Sequence, residues 1–166
     1  MNPLTEQQIR ASLVNATRSE RQRMIVPDLA ELRWDRLDYL GWRDRKQPLA
    51  AYAVVKLDDE PVGIILRAPG TSSRRAAMCA WCEEVGDGND TSLYVARRAG
   101  APGRQGNTIG TLVCSDFRCS RNVRRRPTLA EAGSDDDAAR AAVVERRVLG
   151  LRERSRRFVE QVRSTA

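Results

Sequence analysis

The sequence predicts an α+β fold in which a small antiparallel sheet is flanked by short N-terminal helices and one long C-terminal helix. Three observations predict this fold. Helix-capping patterns open the chain, apolar β-branched runs separated by turn residues fill its middle, and apolar residues recur at intervals of three and four between residues 141 and 162. A chain of 166 residues suits one domain, or a small domain with helical appendages.

Residues 1–27 are predicted to form two short helices, or one helix that is broken near residues 17–19. Residues 5–8 have the capping-box pattern, in which Thr or Ser is followed three residues later by Glu or Gln, and residues 19–22 repeat it. Pro27 ends the second helix because proline has no backbone N–H to donate. Neither helix has an apolar face broad enough to fold alone.

Residues 32–42 are rich in large apolar side chains, which we expect to anchor the N-terminal helices to the rest of the chain. We expect Trp34 and Trp42 to be core residues whose indole N–H groups are hydrogen-bonded. The alternative is an exposed aromatic patch that contacts a partner.

The middle of the chain is predicted to contain four strands and three loops. The strands cover 49–56, 62–67, 91–98 and 108–113, and the first two form a hairpin across a polar turn at 58–61. Residues rich in Gly, Pro, Ser or acidic groups predict loops at 68–75, at 83–90, and at 99–107, the last being a mobile turn region.

All four cysteines fall into two close pairs, Cys79 with Cys82 and Cys114 with Cys119. A two-residue gap lets one tight turn present both thiolates to a tetrahedral ion, and the long insert at 83–113 lets the second pair arrive from elsewhere. This pattern predicts one structural zinc ion. The alternatives are a disulfide pair or scattered buried thiols.

The second pair has a geometric consequence, because residues five apart do not share one face of a regular helix. Cys114 should therefore end a strand, Ser115 or Asp116 should cap a helix, and Cys119 should lie in its first turn, where free amides favour a thiolate. A turn with two ligands, a hairpin, and a helix bearing the last ligand together describe a treble-clef zinc finger.

Arginines cluster around the last cysteine, at 118 just before it and at 121, 124, 125 and 126 after it. Four thiolates on a divalent ion leave two excess negative charges, which nearby guanidinium groups can offset. The same surface could bind phosphate or carboxylate groups, or could simply be solvated.

Composition limits the classes of function. The formal net charge of +7 and the pI near 9.9 favour an acidic partner, either nucleic acid or an acidic protein face. The chain has no histidine, and a four-cysteine zinc site has no open position for water, so we expect no catalysis and no small-molecule substrate. We find no secretory signal and no apolar run long enough for a membrane span, and expect a protein of the reducing cytoplasm.

The C-terminal part is predicted to consist of an acidic linker at 127–136 and an amphipathic helix at 137–166. We expect its apolar stripe to pack against the N-terminal helices. A homodimer through a coiled-coil seam is the alternative.

Five segments carry a resemblance to a known family. They are 37–44 (Leu-Asp-Tyr-Leu-Gly-Trp-Arg-Asp), 62–67 (Val-Gly-Ile-Ile-Leu-Arg), 78–82 (Met-Cys-Ala-Trp-Cys), 106–111 (Gly-Asn-Thr-Ile-Gly-Thr) and 114–124 (Cys-Ser-Asp-Phe-Arg-Cys-Ser-Arg-Asn-Val-Arg). Together they resemble the FBP domain, the treble-clef zinc domain of the fusidic-acid resistance proteins that bind elongation factor G. The resemblance covers residues 28–126, which we take as the zinc-binding domain.

The resemblance implies a structural zinc ion and a protein partner. The zinc domain of that family docks on elongation factor G and promotes its release from ribosomes stalled by fusidic acid. By position the zinc ligands would be Cys79, Cys82, Cys114 and Cys119. The candidate contact residues would be Arg104, Phe117, Arg118, Arg121, Arg124 and Arg125. The chain departs from the resistance proteins at its ends, where it has short N-terminal helices and a basic C-terminal helix. Direct binding of ribosomal RNA or another nucleic acid through the same arginines is the alternative function.

Overall fold

The computed structural model of the protein describes residues 1–68, 70, 75–85 and 90–164. The helices in this part are α1 (Glu6–Ser12), α2 (Arg18–Arg23), α3 (Gly100–Arg104), α4 (Cys119–Asn122), α5 (Leu129–Ala132) and α6 (Asp137–Arg163), with a 3₁₀ turn at Trp34–Arg36. The strands are β1 (Leu40–Arg43), β2 (Ala50–Leu57), β3 (Glu60–Arg67), β4 (Arg75–Ala76), β5 (Asp90–Arg97) and β6 (Thr108–Cys114). Within these ranges, none of the helices has the length and apolar character that a bilayer crossing requires.

The strands form one antiparallel sheet in the order β1-β2-β3-β5-β4, and β6 pairs with β5. The predicted hairpin is confirmed, with a tighter turn than expected. Leu57 pairs with Glu60, and only Asp58 and Asp59 lie between them, at φ of 47° and 69°. Two successive residues in the left-handed region make the turn whose twist matches that of the strands, and aspartate tolerates this region better than most residues. The strands predicted at 91–98 and 108–113 are also present.

Two short helices open the chain as predicted, but the second begins at a different capping box. The side chain of Thr17 accepts a hydrogen bond from the N–H of Glu20, and the Glu20 carboxylate accepts one from the N–H of Thr17. The predicted box at 19–22 is therefore wrong. Both Thr17 and Ser19 satisfy the pattern, and the helix begins at the earlier one.

The N-terminal helices cover one face of the sheet. Ile9, Leu13 and Met24 are buried in the same apolar cluster as Trp42 and Tyr52, whose rings stack with centroids 5.0 Å apart. The indole N–H of Trp42 donates to the carbonyl of Ile25, and that of Trp34 donates to the carbonyl of Leu29. The interpretation as a hydrogen-bonded core residue is confirmed for Trp42, whereas Trp34 is hydrogen-bonded but only half-buried against the same cluster.

Helix α6 covers the opposite face of the sheet, which corrects the expected packing against the N-terminal helices. Leu151, Phe158, Val159 and Val162 are buried with the side chains of β2 that alternate away from Tyr52. Those positions include Ala51 and Ala53, which are small enough for a helix to approach the strand closely. The sheet lies between the helices, so the N-terminal helices cannot be the main support of α6. The homodimer seam remains a prediction, although much of its stripe is buried within this chain.

Three local expectations are corrected. The segment 99–107 contains α3. Just before this helix, the N–H of Ala99 donates a hydrogen bond to the carbonyl of Val162 in α6. The linker at 127–136 contains α5, which begins at a capping box on Thr128. Arg118, rather than Ser115 or Asp116, precedes α4, and its side chain makes no capping hydrogen bond. Of the predicted loops at 68–75 and 83–90, residues 69, 71–74 and 86–89 lie outside the described residues.

Candidate metal centre

The first cysteine pair lies in a tight turn between β4 and β5. The N–H of Cys82 points at the sulfur of Cys79 at 3.5 Å, and the N–H of Glu83 donates to the carbonyl of Cys79 at 2.8 Å. Glu83 has φ of 58°, so the chain reverses there. The N–H of Ala80 donates to the carbonyl of Leu112 in β6. The turn is thereby attached to the strand that leads to the second pair.

The second pair begins where β6 ends. The N–H of Phe117 donates to the carbonyl of Cys114 at 2.9 Å, and Phe117 has φ of 58°, so this turn also reverses through the left-handed region. Helix α4 starts at Cys119, which confirms the predicted position of this cysteine in the first helical turn. The hydroxyl of Tyr39 donates to the carbonyl of Phe117 at 3.1 Å, and burial, together with the Cys119 sulfur, raises the pKa of Tyr39 well above its ordinary value. The hydroxyl therefore stays protonated and can act as a donor.

The four sulfur atoms have the spacing of a tetrahedral zinc site. All lie within 4.8 Å of one another, with Cys79 Sγ 3.7 Å from Cys119 Sγ and Cys82 Sγ 3.6 Å from Cys114 Sγ. Zinc–sulfur bonds of about 2.3 Å at tetrahedral angles place two sulfurs about 3.8 Å apart, whereas a disulfide needs about 2.05 Å. All four cysteines are free and buried. The residues fit one structural zinc ion, and both alternatives, a disulfide and scattered thiols, are wrong.

Burial makes this site depend on a cation. The contacts of Cys119 with the sulfurs of Cys114, Cys79 and Cys82, together with burial, raise the pKa of the Cys119 thiol. Four neighbouring buried thiols cannot all ionise without a positive ion between them. A bound zinc supplies that charge and closes its own coordination shell with the four thiolates.

Asn122 is a functional residue that the sequence analysis missed. Its side-chain N–H₂ group lies 3.4 Å from Cys114 Sγ and 3.7 Å from Cys82 Sγ, at hydrogen-bonding distance for sulfur. An amide that donates to two thiolates offsets part of their negative charge and fixes their orientation. The sequence spacing could have indicated this contact, because on a helix a residue three positions after Cys119 lies on the same face as Cys119.

Three of the arginines near Cys119 form ion pairs with carboxylates, namely Arg118, Arg124 and Arg125. Arg118 pairs with Asp116 at 2.7 Å, and Arg125 pairs with Glu84 and Glu131, each at 2.6 Å. The pair of Arg125 with Glu131 connects the finger to α5, whereas the pairs with Asp116 and Glu84 lie within the finger. The offset of thiolate charge by these guanidinium groups remains a prediction.

Asp38 anchors the finger to the long helix. Its side chain is fully buried and accepts hydrogen bonds from Arg124 after α4 and from Arg152 in α6. Its backbone N–H also donates to the hydroxyl of Ser120. One carboxylate therefore joins three segments that are distant in sequence.

A groove of about 490 Å³ lies beside the second cysteine turn, and we call it the arginine groove. Its lining brings together five of the six predicted contact residues, namely Phe117, Arg118, Arg121, Arg124 and Arg125. The opposite wall consists of Arg33, Arg36 and Leu37, which the sequence analysis did not single out as contacts. Arg104 is not part of it and lines another groove with Arg97 and Arg98. The arginine groove is thus a six-arginine surface around two apolar side chains.

A sequence model of the family described as FBP C-terminal treble-clef zinc-finger matches residues 8–162. The match extends beyond residues 28–126 at both ends and includes most of α6. Comparison with curated proteins and with solved structures finds no match. The extent of the family match agrees with the four-cysteine geometry, and the chain therefore belongs to the FBP C-terminal treble-clef zinc-finger family.

Proposed function

We propose that the protein is a zinc-stabilised binding protein that recognises elongation factor G through the arginine groove and modulates release of the factor from the ribosome. Membership of the FBP zinc-finger family supports the choice of partner. The observation that carries the choice of surface is the groove itself, which lies against the cysteine turn and gathers six guanidinium groups. The zinc ion has a structural role in this proposal, and no chemical reaction is assigned to the protein.

The chemistry of the groove suits a carboxylate-bearing protein surface. Arg118, Arg124 and Arg125 already hold carboxylates of this chain, so the guanidinium groups are presented in geometries that carboxylates fit. Arg121 is exposed and makes no ion pair within the part of the chain that the structure describes. Leu37 and Phe117 add apolar lining to the charged groove. Protein–protein interfaces usually combine apolar contacts with charged groups in this way.

Direct recognition of RNA has less support from the same surface. Non-specific binding of single-stranded nucleic acid usually stacks bases on exposed aromatic rings. The eight aromatic residues of the chain all lie in its described part, and each is buried or half-buried. The groove would therefore bind an RNA through its arginines without aromatic stacking, and the phosphate contacts of such binding weaken steeply as salt rises.

The test is a calorimetric titration of elongation factor G with the zinc-loaded protein and two variants. Arg121→Ala should weaken binding about tenfold or more, as expected for an interface arginine worth at least 1.4 kcal/mol. Arg126→Ala is the matched control, because Arg126 is exposed and carries the same charge but does not line the groove. Its affinity should stay within about twofold of the wild type, the range of an energetically neutral contact.

Two outcomes count against the proposal. Absence of binding by zinc-loaded wild type rejects the factor as partner. Equal weakening by Arg121→Ala and Arg126→Ala rejects the groove as the contact surface and indicates a general charge effect. A parallel titration with a ribosomal RNA fragment distinguishes the alternative, since RNA affinity should fall steeply with salt while a partly apolar protein contact should not.

A further inference from the structure

Strand β1 forms an edge of the sheet. It pairs with β2 along one side, with Leu40 opposite Val54 and Arg43 opposite Ala51, and no strand of the described residues pairs with its other side. Edge strands present unpaired N–H and C=O groups, and proteins normally shorten, charge or cover them.

The register identifies the groups that face outward. The N–H of Asp44 donates to the carbonyl of Ala50, which makes Asp44 a residue whose backbone points at β2. Backbone direction alternates along an antiparallel strand, so Leu40 and Trp42 also point at β2, whereas Gly41 and Arg43 point away. Among the described residues, the N–H and C=O groups of Gly41 and Arg43 make no hydrogen bond on that outer side.

These outward groups lie in a groove of about 320 Å³, which we call the edge groove. Its lining consists of residues 25–28 and 41–43 together with Arg45 and Asp116. The segment 25–28 does not use the edge. In the described part of the chain, the hydrogen bonds of the Ile25 backbone go to side chains and not to the edge. Its carbonyl accepts from the Trp42 indole at 2.8 Å, and its N–H donates to the Asp44 carboxylate at 3.1 Å.

We propose that the edge groove binds an extended peptide segment of another protein, which adds to β1 as an antiparallel strand. Gly41 and Arg43 offer two donors and two acceptors to such a strand, the pattern used in recognition by strand addition. Val26 and Pro27 are half-buried in the wall and give an apolar side chain a surface to contact. Arg45 is exposed beside them, and a carboxylate in the added segment fits it.

A peptide fits this edge better than a second copy of the chain. Residues 25–28 and Asp116 line the same groove as the edge, so a second copy that paired through its own β1 would have to accommodate these residues from both copies. A single extended segment can enter the groove because only its own backbone must fit. This site differs from the arginine groove and does not depend on elongation factor G as partner.

The experiment uses a pair of variants at one position. Arg43→Pro removes the outward N–H and places a ring in the path of an added strand, and proline is tolerated on edge strands where its nitrogen faces outward. Arg43→Ala loses the side chain but keeps the N–H. A display library of random twelve-residue peptides is selected on zinc-loaded wild type, and binding of the selected peptides to the three proteins is measured by fluorescence anisotropy.

The proposal predicts peptides that bind wild type and Arg43→Ala within about threefold and bind Arg43→Pro at least tenfold more weakly, because at least one backbone hydrogen bond is lost and the ring blocks others. Amide hydrogen exchange at Gly41 and Arg43 of wild type should slow at least about tenfold when peptide saturates the protein. This readout does not depend on the folding of Arg43→Pro. Selection of no peptide, equal binding to Arg43→Pro, or unchanged exchange at both amides overturns the proposal.

Discussion

The strongest test of the structure is Asp38→Asn, which removes one charge from a buried ion-pair cluster. The carboxylate is fully buried, with its Oδ1 atom 3.1 Å from Arg124 Nη2 and 2.9 Å from Arg152 Nε. Asparagine has nearly the same volume and keeps one oxygen acceptor. The substitution therefore removes charge without creating a cavity.

The expected cost follows from the exposure of the two arginines. Arg124 is 21% exposed, and loss of its charge-assisted hydrogen bonds costs about 2–3 kcal/mol. Arg152 is 50% exposed, so solvent screens its pair and its loss costs at most about 1 kcal/mol. The sum of about 3 kcal/mol corresponds to a decrease of about 8 °C in melting temperature for a chain of this size.

The assay is thermal unfolding by circular dichroism at saturating zinc, with Asp35→Asn as the control. Asp35 lies three residues away and is 64% exposed, and it pairs with Arg33 and Arg36 at 3.4 and 3.6 Å. Its substitution should leave the melting temperature nearly unchanged, because solvent screens exposed ion pairs. If the two variants lower the melting temperature equally, the buried cluster has no special role in stability and the reasoning above is wrong.

Two further predictions concern the zinc site, and a third concerns Glu20 at the start of α2. Cys119→Ser should release zinc and expose the buried indole of Trp81, because metal binding supplies much of the folding free energy of such sites. A zinc-binding dye measures the release, and tryptophan emission measures the exposure. Native emission from a variant without zinc would contradict this prediction. Asn122→Ala should leave the fold intact but lower zinc affinity by about tenfold, because the amide lies at hydrogen-bonding distance from two thiolates. Chelator competition measures this affinity. An unchanged affinity would show that the amide does not support the thiolates. Burial raises the pKa of Glu20, but hydrogen bonds from Thr17 and the nearby Arg97 and Arg67 outweigh it and hold that pKa below its ordinary value. The stabilisation by Glu20 is therefore present above the ordinary value and lost as pH falls through the lowered one. The difference in unfolding free energy between wild type and Glu20→Gln should be constant above about pH 5 and shrink towards pH 3, and a pH-independent difference would contradict it.

Local patterns in the sequence predicted most of the elements, because those patterns report local physics. Cysteine spacing located the four zinc ligands, and strand propensity located the β2–β3 hairpin. Strand β1 was missed because its four residues, Leu-Gly-Trp-Arg, contain a glycine and lie in a segment whose tryptophans suggested helix anchoring. The short helix α3 was missed because Gly and Pro usually mark a turn.

Long-range features could not be predicted in the same way. The apolar stripe of α6 indicated a packed helix but not its partner, which depends on the face of the sheet left open by α1 and α2. The second wall of the arginine groove comes from Arg33 and Arg36, far from the cysteines in sequence. Asp38 gave no local signal, because its partners lie 86 and 114 residues away.

The packing of α6 has a consequence for synthesis of the chain. The cysteine turns and the β5–β6 hairpin contain all the ligands, so the finger can take up zinc as soon as α4 has left the ribosome. The second face of the sheet stays uncovered until residues 151–162 emerge, since Leu151 and Phe158 complete the cluster around Trp81. Nascent chains cut before residue 150 should therefore carry zinc and yet expose apolar surface to chaperones, and those extended beyond residue 162 should not.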